Sequence, residues 1–397
     1  MLRPLRILHF LPVYAPAWQY GGPVQSVSRL CEALARHGSG FELEVEVITT
    51  NAGLPDVPLE SLSIPQWRHG VRVTYYPEDK PGGSIHSRAL CAALPRHLAR
   101  ADLLHLSGVW QPLAQPVQRQ ALRAQVPVVH SLRGALGPYS MRRGWWKKWP
   151  YYWLIERPLL QQAAALHCTT AQEVAELRGL GLRAPRWLLP NSIDLSAFYP
   201  DPEVGQQWRT SQGLDPDRPL LVVAGRLHHK KGLDLLPPVL KRLADLPWQL
   251  AVIGGDDDGS GARLRLQLDH AGLGGRCRWL PSLPADQLRF PFSAADLLLL
   301  PSRHENFGNV VVEALACGAA VMLSDQVGVQ ADINDLVGVF VVPRSREAWL
   351  KALESWLHSP QRAGSAVAAV VAERFSAPTL AAQAYATYQQ IVAGGTP

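Results

Sequence analysis

Residues 222–236, VVAGRLHHKKGLDLL, decide the fold of this chain. The apolar run Leu220–Ala224 that leads into them has the length and branched composition of a buried parallel strand. It stops at Gly225, passes through a turn rich in cations, and resumes after Gly232 as an amphipathic stretch over Leu233–Leu243. Strand, short turn and helix in that order make one step of a βαβ chain, which predicts a parallel sheet. The same alternation extends outward: Arg6–Pro12 precedes Val24–Arg36, and Glu42–Thr49, Asp102–Leu106, Val126–His130, Leu250–Ile253 and Asp296–Pro301 read as further strands. It begins twice, at Ile7 and near Leu220, with the Pro- and Asp-rich stretch YPDPEVGQQW…GLDPDRP between. Two doubly wound, Rossmann-like α/β domains are therefore predicted, 1–195 and 196–376, joined near residues 195–218 with a cleft between them. An amphipathic helix over Thr379–Val392 follows.

Composition narrows the function classes. With 397 residues, 47% hydrophobic and 18% charged, the chain can bury two cores, which excludes a disordered or fibrous protein. Lys and Arg number 39 against 33 Asp and Glu, a formal +6 that suits anionic ligands or an anionic membrane surface and falls short of a nucleic-acid binder. Cys31, Cys91, Cys168, Cys277 and Cys317 show no CxxC spacing, so neither a zinc site nor a disulfide framework is expected, and a reducing cytoplasm fits. No run reaches the ~18 apolar residues of a membrane span. The N-terminus, MLRPLRILHFLPVYAP, reads as a first buried strand, Ile7–Leu11, rather than a secretory signal, because its apolar core is short and no small-residue cleavage site follows.

In doubly wound sheets ligands sit beyond the carboxyl ends of the strands. After the strand at Leu220–Ala224 come Gly225, Arg226 and Lys231, and the helix expected from Leu233 would add its N-terminal amides. Either cation alone would read as a solvated surface charge. Together with a helix start they suit phosphate oxygens, Arg as a planar fork and Lys as a mobile point charge. A second stretch, LLLLPSRHENFGNVVVEALACGAAVMLSD (297–325), repeats the design: a strand ends at Pro301, a loop carries Glu305, Asn306, Phe307 and Gly308, and a helix opens near Asn309 and Val310 with Glu313 one to two turns inside. A carboxylate is an acceptor pair that matches a vicinal diol, so the two glutamates suit sugar or ribose hydroxyls.

The pattern GRLxxxKG, followed by E-x-F-G-x-x-x-x-E-A-x-A-x-G, resembles the retaining family 4 glycosyltransferases of GT-B fold, and the likeness spans almost the whole chain. Tyr20-Gly21-Gly22-Pro23 is similar to that family's N-terminal glycine loop, and His105-Leu106-Ser107-Gly108-Val109-Trp110 and Pro190-Asn191-Ser192-Ile193-Asp194 stand in the order the family shows. The resemblance implies a nucleotide-sugar donor, with Arg226 and Lys231 on its diphosphate, Glu305 on the transferred sugar, Glu313 on the ribose, and the amides of Asn306 to Val310 completing the cradle. Gly22, Gly225 and Gly254 would let backbone approach the donor; Tyr20, Gly21, Trp110 and Arg133 would meet a saccharide or lipid-linked acceptor. It also implies that the residues 377–397 cross back onto the N-terminal domain. Two departures stand out. Ser192 replaces a usual Gly, and the strand-end histidine of many members aligns with Arg133 in HSLRG, leaving His130 three residues early as either a second catalytic candidate or a core histidine satisfied by backbone.

Two further motifs stay open. Gly254-Gly255-Asp256-Asp257-Asp258 contains the DxD pattern with which other glycosyltransferases hold a divalent cation; Arg226 and Lys231 already supply positive charge, and the run into Gly259-Ser260-Gly261 reads as a surface loop, so no metal and no cofactor are expected. MRRGWWKKWPYYWLIERPLL (141–160) interleaves Arg142, Arg143, Lys147 and Lys148 with six aromatics, which suits either an anionic bilayer interface, through residues 141–153, or a core with a solvated rim. The expectation is a metal-independent, cytoplasmic glycosyltransferase of polysaccharide, lipopolysaccharide or glycolipid synthesis, peripheral on the inner face of the plasma membrane. A nucleotide-sugar epimerase of the same fold and a non-catalytic nucleotide-sugar-binding subunit are the alternatives; a nicotinamide dehydrogenase is opposed by the lack of GxGxxG at Gly21-Gly22-Pro23.

Overall fold

Runs of branched apolar residues become the strands of two parallel sheets in the computed structural model, which describes residues 3–38, 43–142 and 144–397. The chain divides into one unit of Met1–Ser192 with Ala377–Pro397 and a second of Ile193–Ser376. The first unit's sheet is built from β1 (Leu5–Val13), β2 (Leu43–Thr50), β3 (Pro65–Arg68), β4 (Val71–Tyr76), β5 (Leu103–Ser107), β6 (Val128–Ser131), β7 (Ala165–Cys168) and β8 (Arg186–Leu188). Their order is β3-β4-β2-β1-β5-β6-β7-β8, parallel except for the edge strand β3. The second sheet contains β9 (Leu220–Ala224), β10 (Gln249–Ile253), β11 (Cys277–Leu280), β12 (Leu297–Leu300), β13 (Ala320–Ser324) and β14 (Val339–Val342), ordered β11-β10-β9-β12-β13-β14 and parallel throughout.

Burial explains the composition of the central strands. Every residue of β9, β10, β12 and β13 is buried. Leu220, Val222 and Ala224 face Val311, Leu315 and Val371 on one side, while Leu221 and Val223 face Leu236, Leu240 and Trp349 on the other. Helices cover both faces, so no polar alternation survives along the strands.

Three local expectations differ from the structure. The helix expected from Leu233 begins at Leu236, after a 3-10 turn Leu233–Leu235, because Pro237 and Pro238 mark its first turn. Residues 195–218 are not a linker: Asp201 caps the helix Pro202–Ser211, and Arg209 of that helix donates to Ala294 O and pairs with Asp296 at 2.6 Å, which ties the segment into the second unit. The crossing lies at Ser192 rather than 195, since the Ile193 N–H already bonds to Phe375 O of the second unit at 2.8 Å. Glu42, the first residue of an expected strand, lies outside the described residues. Among the described residues no helix is long and apolar enough to cross a membrane, and all five cysteines are free.

The terminal helix Ala377–Val392 packs on the helix Gly22–Gly38 of the first unit and brings Tyr388 to a row of buried histidines. His9 on β1 and His105 on β5 are register partners with ring centroids 4.9 Å apart. His105 Nδ1 lies 2.6 Å from the Tyr388 hydroxyl and its Nε2 3.1 Å from His167 Nδ1, while His167 Nε2 lies 2.9 Å from Leu189 O. Burial, reinforced by the Arg133 charge, pushes His9 and His167 down to about 3, and burial together with its imidazole neighbours pushes His105 well below its ordinary value.

A histidine whose folded pKa lies below its unfolded value binds its proton more readily in the unfolded chain. Stability is thus complete above about pH 6.5 and falls as pH drops toward 3, by up to about 2 kcal/mol at pH 5 for a histidine lowered as far as His9. Urea unfolding at pH 7 and pH 5 should show the lower midpoint at pH 5. His9→Phe, which removes an imidazole whose Nε2 has no hydrogen-bond partner, should narrow that gap without loss at pH 7; an unchanged gap would exclude His9 as a source.

Candidate active site

The order of each sheet fixes where a ligand can sit. In the second sheet the chain moves outward from β9 to β10 and β11, then returns to lay β12, β13 and β14 on the other side of β9. The loops after β9 and β12 therefore leave neighbouring strand ends in opposite directions, the switch point at which doubly wound sheets bind ligands. Those loops carry Gly225 to Gly232 and Pro301 to Gly308. They are joined by backbone, Arg303 N–H to Lys230 O at 2.7 Å, and by the ion pair of Lys231 Nζ with Glu305 Oε1 at 2.8 Å.

Glycines allow these backbones to come together. A Cβ on Gly254, at φ +151, would fall 1.9 Å from Gly225 O, and one on Gly232, at φ +62, would fall 2.2 Å from Pro301 O. The role expected for Gly254, an approach to a nucleotide, has a second reason here: β10 must release its chain directly against the Gly225 turn. Beyond it, Leu227 N–H bonds Gly255 O at 2.7 Å and Asp257 N–H bonds Leu227 O at 3.1 Å.

Asp256, Asp257 and Asp258 are exposed, as in the surface loop expected from the sequence, and each carboxylate is engaged by different partners. Asp256 accepts from Ala262 N at 2.9 Å in the first turn of the helix Ser260–His270. Asp257 pairs with Arg226 at 3.1 Å. Asp258 accepts from His229 N at 3.0 Å and from Ser260 N at 3.1 Å, and lies 2.9 Å from His229 Nδ1; the Ser260 hydroxyl first, then these donors, hold its carboxyl far below the usual range. Asp258 with His228 and His229 is the one group among the described residues with metal-ligand spacing, and it lies near the surface.

The loop after β12 is held as a strand-like extension: Glu305 N–H bonds Gln326 O at 3.0 Å and Gly328 N–H bonds Glu305 O at 2.9 Å. Gly308, at φ +94, turns it into the helix Asn309–Ala316, whose N-terminus opens at Asn309 and Val310 directly after the loop. Phe307 contributes backbone only, since its ring is buried against Phe375. Glu313 is buried, not a solvated helix-face charge. By contrast the expected helix start after Lys231 gives no such cradle, because the 3-10 turn intervenes and the first helical turn is proline-rich.

The first unit has its own switch point, between β1 and β5. Beyond β1, Tyr20 ends a 3-10 turn, its ring against Gly53, and Gly21 at φ +81 opens into the helix Gly22–Gly38; a Cβ on Gly22 would meet open space. Beyond β5, Trp110 at φ +65 is held through Nε1 to Ala135 O at 2.9 Å and through its N–H to Glu156 Oε1 at 3.0 Å. Beyond β6, Arg133 at φ +53 donates from Nη1 to Ser26 Oγ at 2.9 Å and Asn191 Oδ1 at 2.7 Å, and burial lowers its pKa to about 10.

His130 is not brought to this rim. The register pairs His105 with Val129, which puts His130 on the opposite face of the sheet, buried and 3.1 Å from Gln118 Oε1. Burial pushes it down to about 3, and its partner is a side chain rather than backbone. Residues that the sequence gave no reason to choose hold the rim. Glu173, buried and raised in pKa by that burial, accepts from Gly134 N and from Thr169 N at 2.7 Å, which fixes the Arg133 turn. Glu156 is raised by burial to about 7, opposed by its bond to Trp110. Neither belongs to a motif, so only packing reveals them.

The family model of glycosyl transferases group 1 matches residues 205–369, and that of the glycosyl transferase 4-like domain matches 21–192. The D-inositol 3-phosphate glycosyltransferase of Jonesia denitrificans is 30% identical over 382 residues, covering 89% of this chain and 87% of its own. Among solved structures, sucrose-phosphate synthase of Thermosynechococcus elongatus superposes with TM-score 0.76 at 24% identity, over 98% of this chain and all of that one. HepE of Anabaena in complex with UDP-glucose gives 0.72 at 19% identity, over 97% and 99%.

Gly254→Ala should lower the unfolding temperature and weaken ligand binding together, because the new methyl group displaces the Gly225 carbonyl; a cost above about 2 kcal/mol is expected for strain of this kind. Gly22→Ala, with open space around its Cβ, should leave the unfolding temperature almost unchanged. Differential scanning calorimetry of the two variants checks the contrast.

Proposed function

Because this chain belongs to the group 1 glycosyl transferases and has the GT-B fold, it is a glycosyltransferase, and we propose that it moves a sugar from a nucleotide-diphosphate sugar to an acceptor hydroxyl with retention and without a metal ion. The observation that carries this reading is the meeting of Arg226, Lys231, Glu305 and the helix start at Gly308 to Val310 around one switch point. Complexes of a neighbour in fold with UDP-glucose support the donor class.

In the proposed reaction the bond from the anomeric carbon to the diphosphate oxygen breaks as the acceptor oxygen bonds to that carbon from the same face. The acceptor's proton passes to the departing diphosphate oxygen. Arg226 and Lys231 hold the charge that develops on the diphosphate, aided by the helix amides, so the protein's contribution is preorganised electrostatics. Glu305 orients the transferred sugar through its hydroxyls and Glu313 the ribose. On the first unit, Tyr20, Gly21, Trp110 and Arg133 serve the acceptor, which we take to be a saccharide or lipid-linked saccharide in polysaccharide, lipopolysaccharide or glycolipid assembly. Residues 141–153 bring that unit to an anionic membrane. Arg143 of this segment lies outside the described residues.

Each cation already has a carboxylate partner, Asp257 for Arg226 and Glu305 for Lys231. A diphosphate must take the cations over, which it does with more charge and more acceptor oxygens than a single carboxylate.

Lys231→Ala and Arg226→Ala should each reduce kcat by about 10²–10³-fold, measured with whichever of UDP-, GDP- and ADP-sugars raises the unfolding temperature. Near-normal turnover in both would remove the assignment. EDTA should leave the thermal shift and the rate unchanged; loss of either would return a metal to the site. NMR of the product reads the anomeric configuration, and conversion of donor without acceptor would indicate an epimerase instead.

A further inference from the structure

The segment that the sequence left between membrane and core is resolved by exposure into an outward apolar stripe. Over the helix Trp145–Tyr151 and the π-turn Tyr152–Glu156, spacing of four puts Trp145, Trp149 and Trp153 in one row and Trp146, Pro150 and Leu154 in the next. Trp145 and Trp146 are each 62% exposed, Trp153 49% and Leu154 76%. The inner side is anchored by Tyr152, whose hydroxyl donates to Leu180 O at 2.7 Å, so the stripe is held rigidly outward. Cations flank it: Lys147 Nζ lies 4.6 Å from the Trp146 ring and the Arg157 guanidinium 4.8 Å from the Trp153 ring.

Beside the stripe lies a groove of about 600 Å³, within the range of ligand sites. Leu136, Met141, Leu180 and the rings of Trp145 and Trp149 form its walls, and Arg142 and Arg178 stand at its edge with Glu176. Exposed aromatics in such a cluster mark an interaction surface. Indoles prefer the boundary where one end is apolar and the other wet, and Lys and Arg beside them favour an anionic headgroup layer. A protein partner's interface core would be depleted of charge, whereas here Lys147 and Lys148 follow directly on the exposed Trp145 and Trp146.

We propose that the first unit docks on an anionic bilayer through this stripe and that the groove takes one acyl chain of a phosphate-bearing lipid, whose headgroup meets Arg142 and Arg178. The inference deepens the proposed lipid-linked acceptor, yet it is read without sugar transfer, so the two can fail separately.

The full chain is mixed with vesicles of phosphatidylcholine alone or with phosphatidylglycerol added, and bound protein is recovered by flotation. Binding to the phosphatidylglycerol vesicles only is expected, with a blue shift of tryptophan emission. Trp145→Ser/Trp146→Ser/Trp153→Ser should cut binding by at least about tenfold, and Arg142→Glu/Arg178→Glu should do the same through lost charge attraction, both retaining the donor's thermal shift. For the groove, lysophosphatidylglycerol below its micellar concentration should raise the unfolding temperature of the wild type saturably, but not that of Trp149→Ser, while glycerol 3-phosphate should have no effect. Equal flotation with both vesicle types, or undiminished binding by the triple variant, overturns the docking face; an equal shift with glycerol 3-phosphate overturns the acyl chain. Concentration-dependent dimers abolished by the triple variant, with no flotation, would assign the face to a second copy of the chain.

Discussion

The ion pair between Lys231 and Glu305 joins the two loops on which the second unit's site depends. Several cations crowd these loops, Arg226, Lys230, Lys231 and Arg303, with Arg344 reaching in from beyond β14, and unscreened they would repel one another at this range. Carboxylates interleave them: Glu305 takes Lys231, Asp257 takes Arg226, and Asp234 takes both Arg303 and Arg344 at 2.7 and 3.1 Å. None of these pairs is deeply buried, so their net worth to stability is small. Their value lies in position: each pair holds a cation near the switch point.

Backbone closeness supplies the rest. Gly225, Gly232 and Gly254 have positive φ, and at the last two a side chain would collide with a carbonyl of the neighbouring loop. The Arg344 guanidinium fastens the same corner, donating to Pro301 O at 3.0 Å. The site of the second unit is thus mostly main chain, with few side chains added. The first unit is organised differently: its rim depends on buried charge, Arg133 between Ser26 and Asn191 and Glu173 under Gly134, above a row of neutral histidines. Substitutions at Gly232 and Gly254 therefore act through geometry, and those at Arg133, Glu173 or the buried histidines through desolvation and pH.

This contrast explains what the sequence could show. β9 agrees with its expected span, Leu220–Ala224, and the helix opening at Asn309 likewise, because fully buried strands and a glycine before a helix leave strong local signals. The placement of Arg226, Lys231 and Glu305 at the switch point was legible because their loops are short and follow directly on such strands. Long-range contacts left no signal. His130 stood at a strand end like a catalytic residue, and only the register, His105 opposite Val129, turns it away to Gln118. Glu173 is an ordinary glutamate in a short helix until folding places Gly134 and Thr169 over its carboxylate. The aspartates 256–258 looked like a metal motif because sequence gives their spacing but not the directions in which three consecutive side chains turn.

The tryptophan stripe was ambiguous for a related reason. A helical row of aromatics reads the same whether it faces a core or the outside, and periodicity alone reports only that a face exists. Tyr152 decides it. That ring is fully buried and bonded to Leu180 O, so the rows at 145, 149 and 153 and at 146, 150 and 154 must turn outward. A chain that exposes Trp145, Trp146, Trp153 and Leu154 while burying Glu156 beneath them has inverted the usual preference of a surface helix. Such an inversion loses burial free energy in water and regains it only when another apolar surface covers the stripe. Selection for folding alone gives no reason to keep it, whereas a surface that must rest on a lipid boundary does.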